Sequence, residues 1–139
     1  CIMASTLWTG YYLALNSHFS GNNEWFAWSS ETLEYYAERE LLYINPIIYS
    51  EISVSFARIE ELEDALPSDY ICRENLPYEA AFLAGKCFLK YRKAGGIKHA
   101  PLPDFYIGAH AAVRQWSILT RDKSRYKTYF PTLNVITPT

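Results

Sequence analysis

Asp104 and Asp122 are the only acids in residues 80–139, a segment that holds ten Lys and Arg. Residues 1–79 carry the opposite balance, thirteen Asp and Glu against three Lys and Arg. The whole-chain charge of −2 conceals this division. A basic segment suits a polyanionic partner. Two carboxylates isolated within it, each where a strand hands over to a helix, suit a divalent metal ion better than a solvated surface. Cations for phosphate and carboxylates for a metal are together what cleavage of a phosphodiester requires.

Glu51 is a third acid with chemical potential. Its helical neighbours are Ile47, Ile48 and Val54, with Ser55 four residues on. A carboxylate along such a stripe costs several kcal/mol unless compensated, so it needs a cation such as a metal; the plainer alternatives are a satisfied helix Glu at the stripe's edge, or one bonded to Arg58. Asp104 follows Pro-Leu-Pro and precedes FYIGAHAAV, a typical helix N-cap position. A capping Asp keeps one oxygen for a metal, and Gly108, four residues on, is expected to leave room above it. Asp122 closes ILTRD, and in parallel α/β sheets ligands bind at the carboxyl ends of strands; the plainer alternative is a turn residue. His110 is read as a packed helix residue, and His18 and His99 show no ligand spacing. Lys86, Lys90, Arg92, Lys93 and Lys98 form either a phosphate-binding face or a merely solvated one.

These residues need elements to hold them. Residues 3–8 read as a buried strand, Tyr11 to Phe19 as a helix, and 24–40 as a charged amphipathic helix. LLYIN (41–45) is a second strand, after which Pro46 opens a helix expected to run to about Arg58. IEELEDAL (59–66) is a further short helix stopped by Pro67, and 69–75 an edge strand or extended link. Residues 77–94 form the clearest helix, between Pro77 and Gly95-Gly96. Its apolar stripe is expected to include Phe82, Leu83 and Leu89, with Lys86, Lys90 and Lys93 outward. A helix over 104–115, a strand at 117–120, a turn or short helix over 121–129 and a last strand at 133–137 complete the chain. Alternating strands and helices predict an α/β domain of three layers, α/β/α, with a mainly parallel sheet.

Composition bounds the rest. A chain of 139 residues, half of them apolar, predicts a single domain over 1–139 with a packed core. Three cysteines without CxxC spacing fit neither a disulfide framework nor a zinc site, so a reducing cytoplasm is the expected compartment. No continuous apolar run is long enough to span a membrane. Residues 1–23 contain no Asp, Glu, Lys or Arg, but without a basic n-region they read as buried strand and helix rather than a signal peptide.

Four segments together resemble a known family: INPIIYSEIS (44–53), LPYEAAFLAGKCFLKYRKAGG (76–96), LPDFYIGAHA (102–111) and ILTRDKSRYKTYFPTLNVITP (118–138). In this order and at these distances they resemble the PIN-domain ribonucleases, in particular the VapC-type toxins of bacterial toxin–antitoxin pairs. The resemblance implies a parallel sheet between helices, with acids clustered at the strand carboxyl ends around Mg²⁺ or Mn²⁺. Three of the family's four acids carry over, as Glu51, Asp104 and Asp122. The implied activity is metal-assisted hydrolysis of RNA, typically tRNA-like, by a homodimer silenced by a cognate antitoxin. Thr9 and Thr120 then hydrogen-bond around the ligands, and Lys86, Lys90, Arg121 and Lys123 contact phosphate. The fourth acid is missing: Trp8 stands where the family has Asp, and no acid precedes Glu24. An indole cannot ligate a metal ion. If the Leu7 codon ends in G, reading Trp8-Thr9 one base earlier gives GTG-GAC, Val-Asp, so a frame slip is one source of this departure. The competing readings are a catalytically silent PIN-fold binding module and a small α/β regulatory domain whose three acids lie apart.

Overall fold

The computed structural model describes residues 2–4, 31, 35–36, 38–66, 71–95, 102–120 and 126–137. Five short strands, β1 (Ile2–Ala4), β2 (Leu42–Ile44), β3 (Ile71–Arg73), β4 (Ser117–Leu119) and β5 (Val135–Ile136), form one sheet in the order β3-β2-β1-β4-β5. Every pairing is parallel. The helices among the described elements are α1 (Pro46–Ser53), α2 (Ile59–Ala65), α3 (Tyr78–Lys93) and α4 (Leu102–Arg114). Connections run outward from β1 through β2 to β3, then back across to β4 and β5. Right-handed crossovers in opposite directions set helices on both faces of such a sheet, the α/β arrangement predicted. Ile2, Met3, Ala4, Leu42, Ile44, Ile118 and Leu119 are fully or almost fully buried, as strands covered on both faces require.

Several expected boundaries moved, each for a local reason. The helix opened by Pro46 stops at Ser53 rather than near Arg58. Ser50 and Ser53 donate back to the carbonyls of Ile47 and Tyr49, a competition that weakens a helix. Tight bonds from Ser55 to Ile52 and from Phe56 to Ser53 then close it. Arg58, extended, starts α2 and pairs with Glu60. The segment 69–75 resolves into an edge strand over its described part, β3. Only scattered residues of the helix predicted over 24–40 are described, and those at 31, 35, 36, 38 and 39 are helical. The helix predicted over 11–19 and the far half of the first strand lie outside the described residues.

The core face of α3 differs in part from the expected stripe, of which Leu83 does pack against the core. Its buried residues are Ala80, Ala84 and Cys87, whereas Phe82 is 69 % and Leu89 45 % exposed. Small residues let α3 lie close against α4, where Phe88 meets Phe105 and Tyr91 meets Tyr129 edge-on, and Tyr91 lies tilted against Phe105. Lys86 and Lys90 are exposed as predicted, and Lys86 Nζ lies 5.1 Å from the centre of the Phe82 ring. At the other end of α4, Gln115 takes a left-handed φ of 61°. Its N–H reaches the Ala112 carbonyl while Trp116 N–H reaches Ala111, a Schellman ending that usually uses glycine. The turn lays Trp116 on the Tyr43 ring, centroids 4.2 Å apart, and feeds the chain into β4.

Candidate active site

The order β3-β2-β1-β4-β5 reverses direction between β1 and β4, and in such sheets ligands bind beyond the strand carboxyl ends at that reversal. Ala4 pairs with Leu119 across it. Thr120 follows immediately, fully buried, its N–H bonded to the Ile136 carbonyl at 3.0 Å. The helix carrying Asp104, α4, packs on both flanking strands and on α1, which carries Glu51.

Asp104 is 6 % exposed, but it is not the cap. The helix begins at Leu102, so Asp104 is its third residue. Pro103 fits inside that first turn because the N–H it lacks would have had no helical acceptor. Asp104 thus stands in the first turn, where the helix dipole is positive, and the residue has interactions of its own. Gly108 does not leave the expected room. A Cβ built there would meet the Phe130 ring at 2.5 and 2.8 Å and Tyr126 at 3.1 Å. The glycine serves aromatic packing rather than an open cavity.

Glu51 is half-buried in α1 and also has contacts of its own. The proposed Arg58 partnership is not what the structure forms, since Arg58 pairs with Glu60. Trp8, Thr9, Arg121, Asp122 and Lys123 lie outside the described residues. Among the described residues, no group of three or more His, Cys, Asp and Glu could hold a metal ion. Two of the three predicted ligands, Glu51 and Asp104, are described. Their donors are hard carboxylate oxygens on helices that touch, chemistry that suits Mg²⁺ or Mn²⁺.

A buried polar chain joins these same helices, which sequence reading did not anticipate. Asn45 follows β2 and caps α1, its side-chain oxygen accepting from Ile48 N–H at 2.9 Å. Its amide nitrogen lies 3.0 Å from His110 Nδ1. His110 Nε2 lies 2.9 Å from Glu74 Oε2, and Arg114 donates to Glu74 Oε1 at 2.7 Å. Asn45 is 2 % and His110 0 % exposed. Burial pushes His110 below the usual histidine value, against the opposing pull of Glu74. Burial also pushes Glu74 upward, but bonds from His110 and Arg114 outweigh it and hold the carboxyl below its ordinary value. His110 is thus packed as predicted, in a polar rather than an apolar setting.

Asn45 and Glu74 of this polar chain also line a cleft of about 470 Å³ that opens between the ends of β2 and β3 and helices α1 and α2. Tyr49 and Arg73 line it, both donating to Glu63 Oε2, at 3.1 and 2.7 Å. The Arg73 bond, then that from Tyr49, lowers the Glu63 pKa.

No family model and no curated protein matches this sequence. Solved structures do. The chain is similar to one in the VapBC2 complex of Rickettsia felis bound to a promoter DNA fragment. That match has TM-score 0.67 and 17 % identity, over 99 % of this chain and 98 % of the other. It is also similar to a chain of FitAcB from Neisseria gonorrhoeae, with TM-score 0.64 and 17 % identity over 99 % and 98 % of the two chains. A toxin–antitoxin complex from Klebsiella pneumoniae matches at TM-score 0.64 and 20 % identity, over 100 % and 98 %. The likeness is one of fold, spanning the whole chain: a PIN-like α/β domain as found in toxin–antitoxin complexes.

Proposed function

We propose that this chain is the toxin of a toxin–antitoxin pair, a metal-dependent endoribonuclease in which Glu51, Asp104 and Asp122 hold Mg²⁺ or Mn²⁺. The observation carrying this reading is Asp104. It is a buried acid on the helix that packs on both β1 and β4, at the reversal where parallel α/β sheets bind ligands. A divalent ion bound there supplies charge stabilisation and an acidified water for hydrolysis. The chain's own residues do the rest. The three carboxylates fix the ion's position, Thr9 and Thr120 hydrogen-bond around them, and Lys86, Lys90, Arg121 and Lys123 draw and hold the phosphate backbone. The substrate is a tRNA-like RNA, the working form a homodimer, and a cognate antitoxin covers the site. The antitoxin rests on the toxin–antitoxin complexes among the structural neighbours.

Trp8 favours a second reading, a silent PIN-fold module that keeps its partner surfaces and cleaves nothing. Cleavage of a mixed tRNA pool with Mn²⁺, by this chain and by Trp8→Asp in parallel, separates the two. Activity only in Trp8→Asp means a nuclease scaffold silenced by one residue. Activity in both, lost in Asp104→Asn, means three acids suffice. Inactivity of both supports the binding module.

A further inference from the structure

The polar chain from Asn45 to Arg114 ties together the two helices that carry Glu51 and Asp104, and its hydrogen positions follow from its geometry. The Asn45 side-chain oxygen is committed to Ile48 N–H, so the atom facing His110 Nδ1 is the amide nitrogen, which can only donate. His110 Nδ1 must therefore be the acceptor, and the ring proton sits on Nε2. From there it is donated to Glu74 Oε2 at 2.9 Å. Arg114 occupies the other Glu74 oxygen. Each bond then has one donor and one acceptor, in surroundings where bonds are strong and their loss costly.

We infer that Asn45 and His110 are positioning residues, whose buried bond fixes α1 against α4 and so sets Glu51 relative to Asp104. This rests on the reading of those two acids as metal ligands. Asn45 is anchored at the end of β2, and Glu51 stands six residues along α1 from it, roughly 9 Å of helix. Asp104 precedes His110 by the same six residues on α4. Ligand oxygens must sit at about 2.1 Å from a small divalent ion, so slack between these helices is felt at the metal. Bonds made directly to metal ligands change affinity by about 10- to 100-fold when removed; the Asn45–His110 bond acts one step further out, through helix placement, so the lower figure is the one expected.

Two substitutions at one position separate the bonds. His110→Asn places an amide near the former Nδ1 and keeps the link to Asn45. His110→Gln reaches toward Glu74 and gives up Asn45. Mn²⁺ affinity is measured by calorimetric titration on the full chain and on Trp8→Asp, with thermal unfolding of each variant alongside. The expected result is that His110→Gln and Asn45→Ala bind Mn²⁺ about 10-fold more weakly. His110→Asn stays near the parent, although every variant loses stability. Equal affinity in all folded variants would overturn the positioning role while leaving the metal site intact. Absence of Mn²⁺ binding in both parents would remove the metal-ligand reading and this inference with it. Independently of metal, ¹⁵N correlation spectra of His110 must show the neutral Nε2–H tautomer; the Nδ1–H form would overturn the inference alone.

Discussion

Gly108 and Gly85 both lie inside helices, α4 and α3, and Ala should act on them with opposite sign. Replacing an interior helical Gly by Ala is ordinarily favourable by about 0.5–1 kcal/mol, because Gly loses more backbone freedom on folding. At Gly85 a new Cβ meets nothing within 4 Å, so Gly85→Ala keeps that gain. At Gly108 the same atom lands 2.5 Å from Phe130 Cε2 and 2.8 Å from Cδ2. Phe130 and Tyr126 are themselves buried, leaving the ring no open direction to swing. Overpacking of this kind costs about 1–3 kcal/mol, which exceeds the backbone gain. Gly108→Ala is therefore expected to lose about 1–2 kcal/mol net, roughly 3–8 °C in Tm for a domain of this size. Gly85→Ala should rise by about 2–4 °C. Urea and thermal unfolding followed by circular dichroism measure both. If Gly108→Ala is as stabilising as Gly85→Ala, the aromatic ring does not cover that helix and the packing argument fails.

Four further expectations follow from particular contacts. Asn45→Ala removes a helix cap and leaves His110 Nδ1 buried without its donor, so it should cost about 2 kcal/mol or more in urea unfolding. His110 has a folded-state pKa below the ordinary 6.5, so the unfolded chain takes up its proton first. Stability should therefore fall as pH drops below about 6.5 and fall again below about 4.5 as Glu74 loses its charge. His110→Asn should abolish the upper phase and weaken the lower one, because it also removes a bond that holds the Glu74 pKa down. Burial raises the Cys87 thiol pKa, and Cys87 is buried while Cys72 is half-exposed. Iodoacetamide should therefore label Cys72 before Cys87 in the native chain, as peptide mass mapping would read; equal rates at these two would contradict the packing of α3. Gln115→Gly should raise Tm by a few degrees, since about 1 kcal/mol of left-handed strain disappears; a fall would mean the side chain contributes contacts that outweigh it.

Local signals were readable in the sequence where they depended on a few neighbouring residues. LLYIN, ending at Asn45 directly before Pro46, predicted β2 and the start of α1, because Pro is tolerated at the first helical position. Gly95, at φ +83°, stands just past α3 where a helix stop was expected. Apolar periodicity placed Leu83 of α3 correctly and misjudged Phe82 and Leu89. It ranked Phe82 and Leu89 by hydrophobicity, whereas close approach to α4 selected Ala80 and Ala84. The Asn45–His110–Glu74 chain was illegible for another reason. Its members are 65 and 36 residues apart, and no local pattern announces such pairing. Asp104 was readable as a candidate because an acid stood alone in a basic segment. Its place inside the first turn was not, since that depended on Pro103 being accepted there.

Crystals of the chain grown with Mn²⁺ would test the central claim most directly, through the anomalous signal of the bound ion. A peak is expected at the β1–β4 reversal, ligated by oxygens of Glu51, Asp104 and Asp122. Carboxylates of these three residues lying more than about 10 Å apart, with no ion between them, would contradict it.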